Sequence, residues 1–460
     1  MLKSRGDLGF MKKVRIIGAG LAGSEAAWQC ARRGVAVELY EMRPVHTTPA
    51  HQTADFAELV CSNSLKSASE NTAPWLLKEE MRRAGSLLLE IAQETAVPAG
   101  HALAVDRGEF SRKVTEAISR EPLITIRREE VTQIEAGESA IVMVATGPLT
   151  SDNLSREIAR LCATSSGASQ LYFYDSISPI VEAGSIDMSK VYLAARYDKG
   201  SADYINCPMS KDEYDKFYDA LLAAQSVEQK DWENLNYFES CLPIEEIARR
   251  GRDTLRFGPM KPVGLKDPRT GRIPYAAVQL RQENLRADSY NLVGFQNHLK
   301  FGEQARVLSL IPGLERAHFL RYGQIHRNTY INAPMLLIPT LQMKAHPLVM
   351  FAGQICGVEG YVESIATGLL AGLNAVALAT GSEPVPPPRA TALGSLVHYI
   401  TQVESKNFQP ANITFDLLPT LATRVRDRKE RHRQQCAAAL REVDDWYGGC
   451  SLKVCRPSAV

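Results

Sequence analysis

A strand-like run from Val14 to Ile17 opens directly into Gly18-Ala19-Gly20-Leu21-Ala22-Gly23. A helical stretch follows from Ser24 to Arg33, closed by Gly34, and a second strand-like run from Val35 to Tyr40 ends at Glu41. This is a complete βαβ unit, and it commits the chain to a parallel sheet covered by helices. Each glycine has its own task. Gly18 permits the tight turn, Gly20 lets the backbone at Ala19-Gly20 approach a pyrophosphate, and Gly23 lets helix and strand pack closely. The helix start offers free N–H groups to phosphate oxygens. Glu41, about twenty residues on, is placed to accept from ribose hydroxyls. The intact unit, rather than the glycines alone, favours nucleotide binding over a glycine-rich structural turn.

Two later segments bear on which dinucleotide is held. The run from Ala140 to Ala145 reads as a strand ending in Thr146-Gly147, an arrangement flavoproteins use where the chain returns to the cofactor domain. The run Val349-Met350-Phe351-Ala352 meets Gly353-Gln354 and leads through Gly357-Val358-Glu359-Gly360 into a small-residue helix from Tyr361 to about Thr380. Large flavin folds grip their cofactor twice, at an N-terminal turn and at a late strand-to-helix turn. Two such turns more than 300 residues apart favour FAD over NAD. No second strand-GxGxxG-helix unit is present, so NADH or NADPH would visit the flavin face directly. The expected fold class is α/β: a Rossmann-like FAD-binding domain of the glutathione-reductase type with an inserted α/β domain.

A chain of 460 residues fits two to four domains, at roughly 100–200 residues each. Residues 1–10 read as a disordered extension. Residues 11–150 and 325–385 read as the discontinuous FAD-binding domain, and 151–324 as the inserted domain, aromatic-rich and mixed. After the stiff run Pro384-Val385-Pro386-Pro387-Pro388, residues 386–460 read as a helical basic tail. Hydrophobic residues at 45% and charged residues at 23% are globular values, which excludes disordered, collagenous and disulfide-scaffold classes. The nearest approach to a membrane span, Ile365 to Thr380, is interrupted by Thr367, Gly368, Gly372 and Asn374 and suits a buried helix better. Nine cysteines without a paired framework, and no leader-like apolar stretch at the start, point to a reducing, cytoplasmic setting.

Lys plus Arg total 53 against 52 for Asp plus Glu, a net charge of +1. That balance argues against an unspecific nucleic-acid coat, although a local basic patch is compatible with it. Two windows are locally basic. From Glu245 to Arg272, eight Lys/Arg face four acids; from Arg424 to Arg433, six face two. Such runs are usually solvated faces, but two of them also suit a phosphate backbone.

Cys61 lies in Glu58-Leu59-Val60-Cys61-Ser62-Asn63-Ser64-Leu65-Lys66, among hydroxyls, an amide and a lysine, a setting that raises thiolate content. A small buried residue is the plainer reading. The same two readings hold for Cys241, in Glu239-Ser240-Cys241-Leu242-Pro243. Cys207 and Cys356 are weaker candidates, and Cys30 reads as core. No CxxC pair or histidine set points to a metal. His326-Arg327-Asn328-Thr329-Tyr330 is a dense polar run, in which His326 either packs on a planar ligand or is a satisfied loop residue. Asp106-Arg107 is either a cofactor contact or an ordinary ion pair.

The stretches GAGLAGSEAAWQ, YEMRP, FAELVCSNSLKS, PAGHALAVDRGEF, ATGPLTS, FGPMKPVGL, VQLRQEN, VGFQNHLKFGEQ, HRNTY and GVEGYVES together resemble one family, from about Val14 to about Ala379. It is that of the bacterial folate-dependent, FAD-using tRNA uracil-5 methyltransferases. The resemblance implies conversion of the T-loop uridine (position 54) to ribothymidine. The one-carbon unit comes from 5,10-methylenetetrahydrofolate through the flavin, and NAD(P)H supplies electrons. It implies tRNA as partner and no obligate protein partner. It places Cys241 as the nucleophile at uracil C6 and Cys61 as its partner near the flavin, with Tyr361 over the flavin region. His326 and Asn328 fall at the folate, and Arg43 of YEMRP with Asp106, Arg107 and Gly360 at the cofactor. Cys356 departs from the pattern, in a slot where Thr is expected. Competing classes are the related wobble-uridine-modifying flavoprotein, which is longer, a small-molecule flavin oxidoreductase, and a non-catalytic FAD scaffold.

Overall fold

The computed structural model describes residues 12–48, 50–135, 140–163, 170–176, 178–198, 201–227, 242–323 and 325–449, with backbone alone for 170–176, 198, 325–328, 407 and 449. The expected βαβ unit is present: β1 (Lys13–Ile17), α1 (Leu21–Ala31) and β2 (Val37–Tyr40). β1 pairs in parallel with β2, Ile16 against Leu39, and on its other side with Ala140–Val144. The chain next forms β3 (Ser64–Ser67), α2 (Ala73–Arg83), α3 (Arg107–Arg120) and β4 (Ile124–Arg127). With β5 (Ala140–Val144) and the late β8 (Val349–Phe351), the sheet runs β8-β5-β1-β2-β4, all parallel. Val14, Ile16, Leu39, Ile141, Met143 and Phe351 are fully or almost fully buried, as strands covered on both faces require.

A second sheet is antiparallel and six-stranded. Its central strands are β6 (Ala276–Gln282) and β7 (Ser289–Leu292), paired Leu280 with Leu292. It has its own core, from Val181 through Phe217, Val278 and Phe295 to Leu314, separate from the core around β1.

The small-residue helix is α4 (Tyr361–Ala379), and it lies along α1. Gly368 and Gly372 make that contact possible: a Cβ on Gly368 would stand 2.3 Å from Ala22 O, and one on Gly372 2.9 Å from Ala26 O. Ile365, Leu369, Leu370 and Leu373 are buried on α4, each contributing about 1.5–3 kcal/mol of apolar transfer. By length and composition α4 could cross a membrane, but 89% of its apolar window is buried inside the protein.

After the proline run come α5 (Ala392–Gln402) and α6 (Arg428–Gly449). Leu393, Leu396, Cys436, Ala439 and Trp446 of these helices belong to the same core as β1. The buried Glu80 of α2 caps α5, accepting from Ala392 N at 2.7 Å and Leu393 N at 2.9 Å. Residues 1–10, with Cys450 and Cys455, lie outside the described residues.

Candidate active site

The three glycines of the first turn divide their tasks. Gly18 has φ +101, and a Cβ there would stand 2.6 Å from Ala145 O; a Cβ on Gly23 would stand 1.8 Å from Gly18 O. Both are required by the fold itself. Gly20 is different: a Cβ there would meet nothing within 4 Å, and Gly20 occupies the N-cap of α1 with no side-chain cap. Bare N–H groups therefore face open space at a helix start, the arrangement that binds phosphate. The cavity in front of it is lined by Gly18, Gly20, Glu41, Thr146, Thr150 and Ser151. The Thr146 and Thr150 hydroxyls share a 2.7 Å hydrogen bond, and Gly147 turns the chain at φ +64.

Glu41 stands at the end of β2 with one oxygen accepting from Ala19 N at 3.2 Å. Its other oxygen accepts from Arg43 N and Nε, each at 3.0 Å. Burial pushes this carboxyl up, but the Arg43 hydrogen bond and charge, with the backbone N–H groups, hold it below the ordinary range. It stays an acceptor. Arg43, only 3% exposed in its side chain, also binds Glu58 at 3.0 Å and the carbonyls of Thr53 and Asp55. Its guanidinium braces Glu41, and Arg43 also lines the cavity itself.

The late turn holds three left-handed glycines, Gly353, Gly357 and Gly360, at φ +82, +85 and +110. A Cβ on Gly353 would approach Ala22 Cβ to 2.9 Å, which brings this turn against the first one. Gln354 Nε2 donates to Glu359 at 2.9 Å. Cys356 is fully buried and donates to Gly353 O; burial pushes its thiol up to about 12. It is packing rather than a reactive group. Cys30, Cys162, Cys207 and Cys436 are buried too. Among the described residues Cys61 is the one partly exposed cysteine.

Cys61 and Tyr361 meet across 300 residues of chain. The backbone N–H groups of Cys61 and Ser62 both donate to Tyr361 Oη, at 2.8 and 3.1 Å. Burial raises the Tyr361 phenol, first and foremost, so it remains protonated with its own O–H to donate. Tyr361 opens α4, and Lys66, five residues beyond Cys61, bonds the buried Glu363 of the same helix at 2.6 Å. Lys66 also reaches Asn412.

Asp106 and Arg107 do not pair with each other. Asp106 caps α3 through Glu109 N and accepts Leu285 N at 2.9 Å with its second oxygen. Arg107 forms a two-pronged pair with Glu283, at 2.5 and 3.0 Å, and donates to Leu59 O at 2.8 Å. Asn63 Nδ2 donates to Val105 O and Gln282 O. The Cys61 segment is thus tied to β6 of the second sheet as well as to α4. Arg321 adds bonds to Ala50 O and Val60 O. Both guanidiniums act electrostatically on Cys61 and Tyr361. A cavity at the start of α3, where it meets the second sheet, is lined by Asp106, Arg107, Ile180, Glu283, Leu320 and Arg321.

Cys241 lies outside the described residues. His326 and Asn328 sit on a strand, Ile325–Ile331, opposite Asp175 and Phe173, and their side chains are outside the described set. Lys66, Glu283, Arg321 and Glu363 escaped the sequence reading as site residues. Lys66 and Glu363 stand inside CSNSLKS and GVEGYVES, and Glu283 inside VQLRQEN, but no local spacing relates partners 176 to 297 residues apart.

The two basic windows diverge in three dimensions. In the first, Arg249 pairs with Glu246, Arg252 with Asp215 and Asp219, Arg256 with Asp253, and Arg269 with Asp267, while Lys266 and Arg272 are exposed and form no ion pair among the described residues. In the second, Arg433 pairs with Glu430, while Arg424, Arg426, Arg428 and Lys429 are exposed and form no ion pair among the described residues.

Comparison with known proteins bears directly on this arrangement. The family described as "Glucose inhibited division protein A" matches residues 13–383. A protein of Koribacter versatilis named methylenetetrahydrofolate–tRNA-(uracil-5-)-methyltransferase TrmFO is 75% identical over 438 residues, which are 94% of this chain and 98% of its own length. A protein of the same name from Enterococcus faecalis is 57% identical over 429 residues, 93% of this chain and 97% of its length. Among solved structures, Aquifex aeolicus GidA superposes with a TM-score of 0.67 at 16% identity, over 96% of this chain and 74% of that one, a likeness of fold. Matched nearly end to end at such identity, the chain belongs to the TrmFO family of methylenetetrahydrofolate–tRNA-(uracil-5-)-methyltransferases.

Proposed function

We propose that this protein methylates C5 of the T-loop uridine of tRNA, position 54, taking the carbon from 5,10-methylenetetrahydrofolate with FAD as cofactor and NADH or NADPH as electron source. The observation that carries the reading is the junction of Cys61 and Ser62 N–H with Tyr361 Oη. It seats a partly exposed thiol, two guanidiniums and the start of α4 beside a cradle shaped for a dinucleotide. Bound there, FAD would supply redox chemistry and carriage of the one-carbon unit. Gly18, Ala19, Gly20, Gly23, Glu41, Thr146 and Gly147 would hold its adenosine end, and Gly353, Gln354, Gly357 and Gly360 its flavin end. Residues 11–150 and 325–385 form the cofactor domain in this reading, with 151–324 receiving substrate.

Uracil C5 is a poor nucleophile until a thiolate adds to C6 and pushes electron density onto C5. Cys241 takes that role. The S–C6 bond forms, C5 bonds to the incoming methylene-level carbon, and the C5 proton leaves as that carbon's bond to its carrier breaks. A hydride equivalent drawn from NADH or NADPH converts the carbon to methyl as the S–C6 bond breaks and the thiolate departs. Cys61 serves as its partner in proton transfer or thiol protection. Tyr361 fixes the Cys61 backbone, and His326 and Asn328 are assigned to binding the folate.

Purified protein is expected to be yellow. It should form ribothymidine in an unmodified tRNA transcript given methylenetetrahydrofolate and NADH or NADPH, and none in a transcript with cytidine at position 54. Product formed only with S-adenosylmethionine would overturn the reading. Cys241→Ala should abolish product with flavin still bound, and retained turnover would remove the nucleophile assignment.

A further inference from the structure

The segment 424–433 has a charge pattern its own fold does not use. Arg424, Arg426, Arg428 and Lys429 are exposed and unpaired among the described residues, whereas the acids beside them are engaged. Asp427 accepts Glu430 N at 2.8 Å at the start of α6, and Glu430 binds Arg433 and Gln434. Arg428, Lys429 and Arg431 crowd the first turn of α6, the end where the helix dipole favours acids and disfavours cations. His432 reports the resulting field: burial first, then Arg428 and Arg431, push its imidazole below the ordinary range against the opposing Asp416. Its ring stacks on Phe415 with centroids 3.8 Å apart.

Arg428, Lys429, His432 and Arg433, with Phe415, Asp427 and Glu430, line one wall of a groove whose other wall is Glu70, Asn71, Thr72 and Ala73; Arg424 and Arg426 lie on the segment that leads into it. Both walls lead back to the candidate active site. Residues 70–73 follow β3, which begins three residues after Cys61. The opposite wall continues from Asn412, bonded to Lys66, and Ile413, whose N–H donates to Glu363. We propose that the phosphodiester backbone of the tRNA substrate runs along the exposed segment 424–429 at the edge of this groove, with Arg428 and Lys429 on the groove and Arg424 and Arg426 beside it neutralising phosphates. The proposal rests on the tRNA reading above and favours the window whose exposed, unpaired cations fall together in residues 424–429.

The test compares the full-length flavoprotein with the quadruple variant Arg424→Ala/Arg426→Ala/Arg428→Ala/Lys429→Ala and with Arg249→Ala, whose guanidinium is already paired. Binding of an unmodified tRNA transcript is measured against salt concentration. Every phosphate that the variant leaves without a cation makes log K less steep against log salt by about 0.7–0.9. The quadruple variant should show a slope shallower by about 1.5 or more and bind about tenfold or more weakly at moderate salt. Arg249→Ala should stay within about twofold of wild type. Flavin content and urea midpoint of the quadruple variant should match wild type, since its side chains are exposed. An unchanged slope and affinity, with wild type binding tRNA normally, overturns the groove alone. Wild type that neither binds nor methylates tRNA overturns the function on which it rests. A loss as large in Arg249→Ala returns the assignment to the other window.

Discussion

Gly368→Ala tests whether the contact between α1 and α4 positions both cofactor turns. In an unconstrained helix interior the substitution stabilises by about 1 kcal/mol, because glycine loses more backbone entropy on folding. Here the new methyl would stand 2.3 Å from Ala22 O and 2.6 Å from Ala22 Cα. These are backbone atoms with no rotamer to retreat into, so the helices must separate by about 1 Å. Overpacking of this kind costs about 1–3 kcal/mol, and a gap of that size forfeits roughly a quarter to a half of the attraction between the surrounding pairs. The cost exceeds the entropy gain, and the net expectation is a loss of about 1–2 kcal/mol. Ala22 immediately precedes Gly23 and also touches the position a Cβ on Gly353 would take, so the same movement displaces both turns. Urea unfolding followed by circular dichroism gives the stability, and flavin fluorescence titration gives cofactor affinity, which should fall in parallel. Gly302→Ala, at a helix position with nothing within 4 Å, is the comparison and should be neutral or slightly stabilising. Gly368→Ala as stable as wild type, with unchanged flavin affinity, would refute the reasoning.

Lys66→Met should destabilise by about 2–4 kcal/mol, because it strands the buried Glu363 carboxylate, and Lys66→Met/Glu363→Gln should recover part of that loss in urea unfolding; a double variant no better than the single would contradict the pairing. Tyr361→Phe leaves the Cys61 and Ser62 N–H groups without their acceptor, for a loss of about 1–3 kcal/mol and a lower methylation rate with flavin retained; wild-type stability and rate would rule out the positioning role. Burial, against the helix N–H groups it caps, raises Glu80 to about 8. The folded state therefore holds a proton there that the unfolded state releases at ordinary carboxylate pH. The Glu80 contribution to stability should fall as pH rises from that range through about 8, and then level off. The difference in stability between wild type and Glu80→Gln, measured across pH, isolates this effect; a difference that does not vary with pH would disprove it.

Elements whose periodicity and special residues are local can be read from the amino-acid chain alone. The βαβ unit is legible because strand, glycine turn, helix and terminal acid follow one another within about thirty residues. The helix from Tyr361 was legible from its small-residue run, and its burial from the polar interruptions. The helix expected within the basic tail runs on to Gly449, carried by burial of Cys436, Ala439 and Trp446 against the main core.

Which polar residues act together is settled by folding. Asp106 and Arg107 read either as a cofactor contact or as an ordinary ion pair, and the backbone sends one to Leu285 and the other to Glu283. Arg43 is expected at the cofactor, and the fold puts it on the cavity wall, where it also braces Glu41 as an acceptor. Cys61 and Cys356 were both thiol candidates near a turn; burial separates them, since desolvation disfavours the thiolate at Cys356 while Cys61 stays accessible. The two basic windows carry the same surplus of charge in sequence. Folding pairs Arg252 of the first with Asp215 and Asp219, whereas no acid from outside the segment forms an ion pair with the second among the described residues. Charge count is a property of composition, but the field that a phosphate meets depends on which counter-charges the fold places beside it.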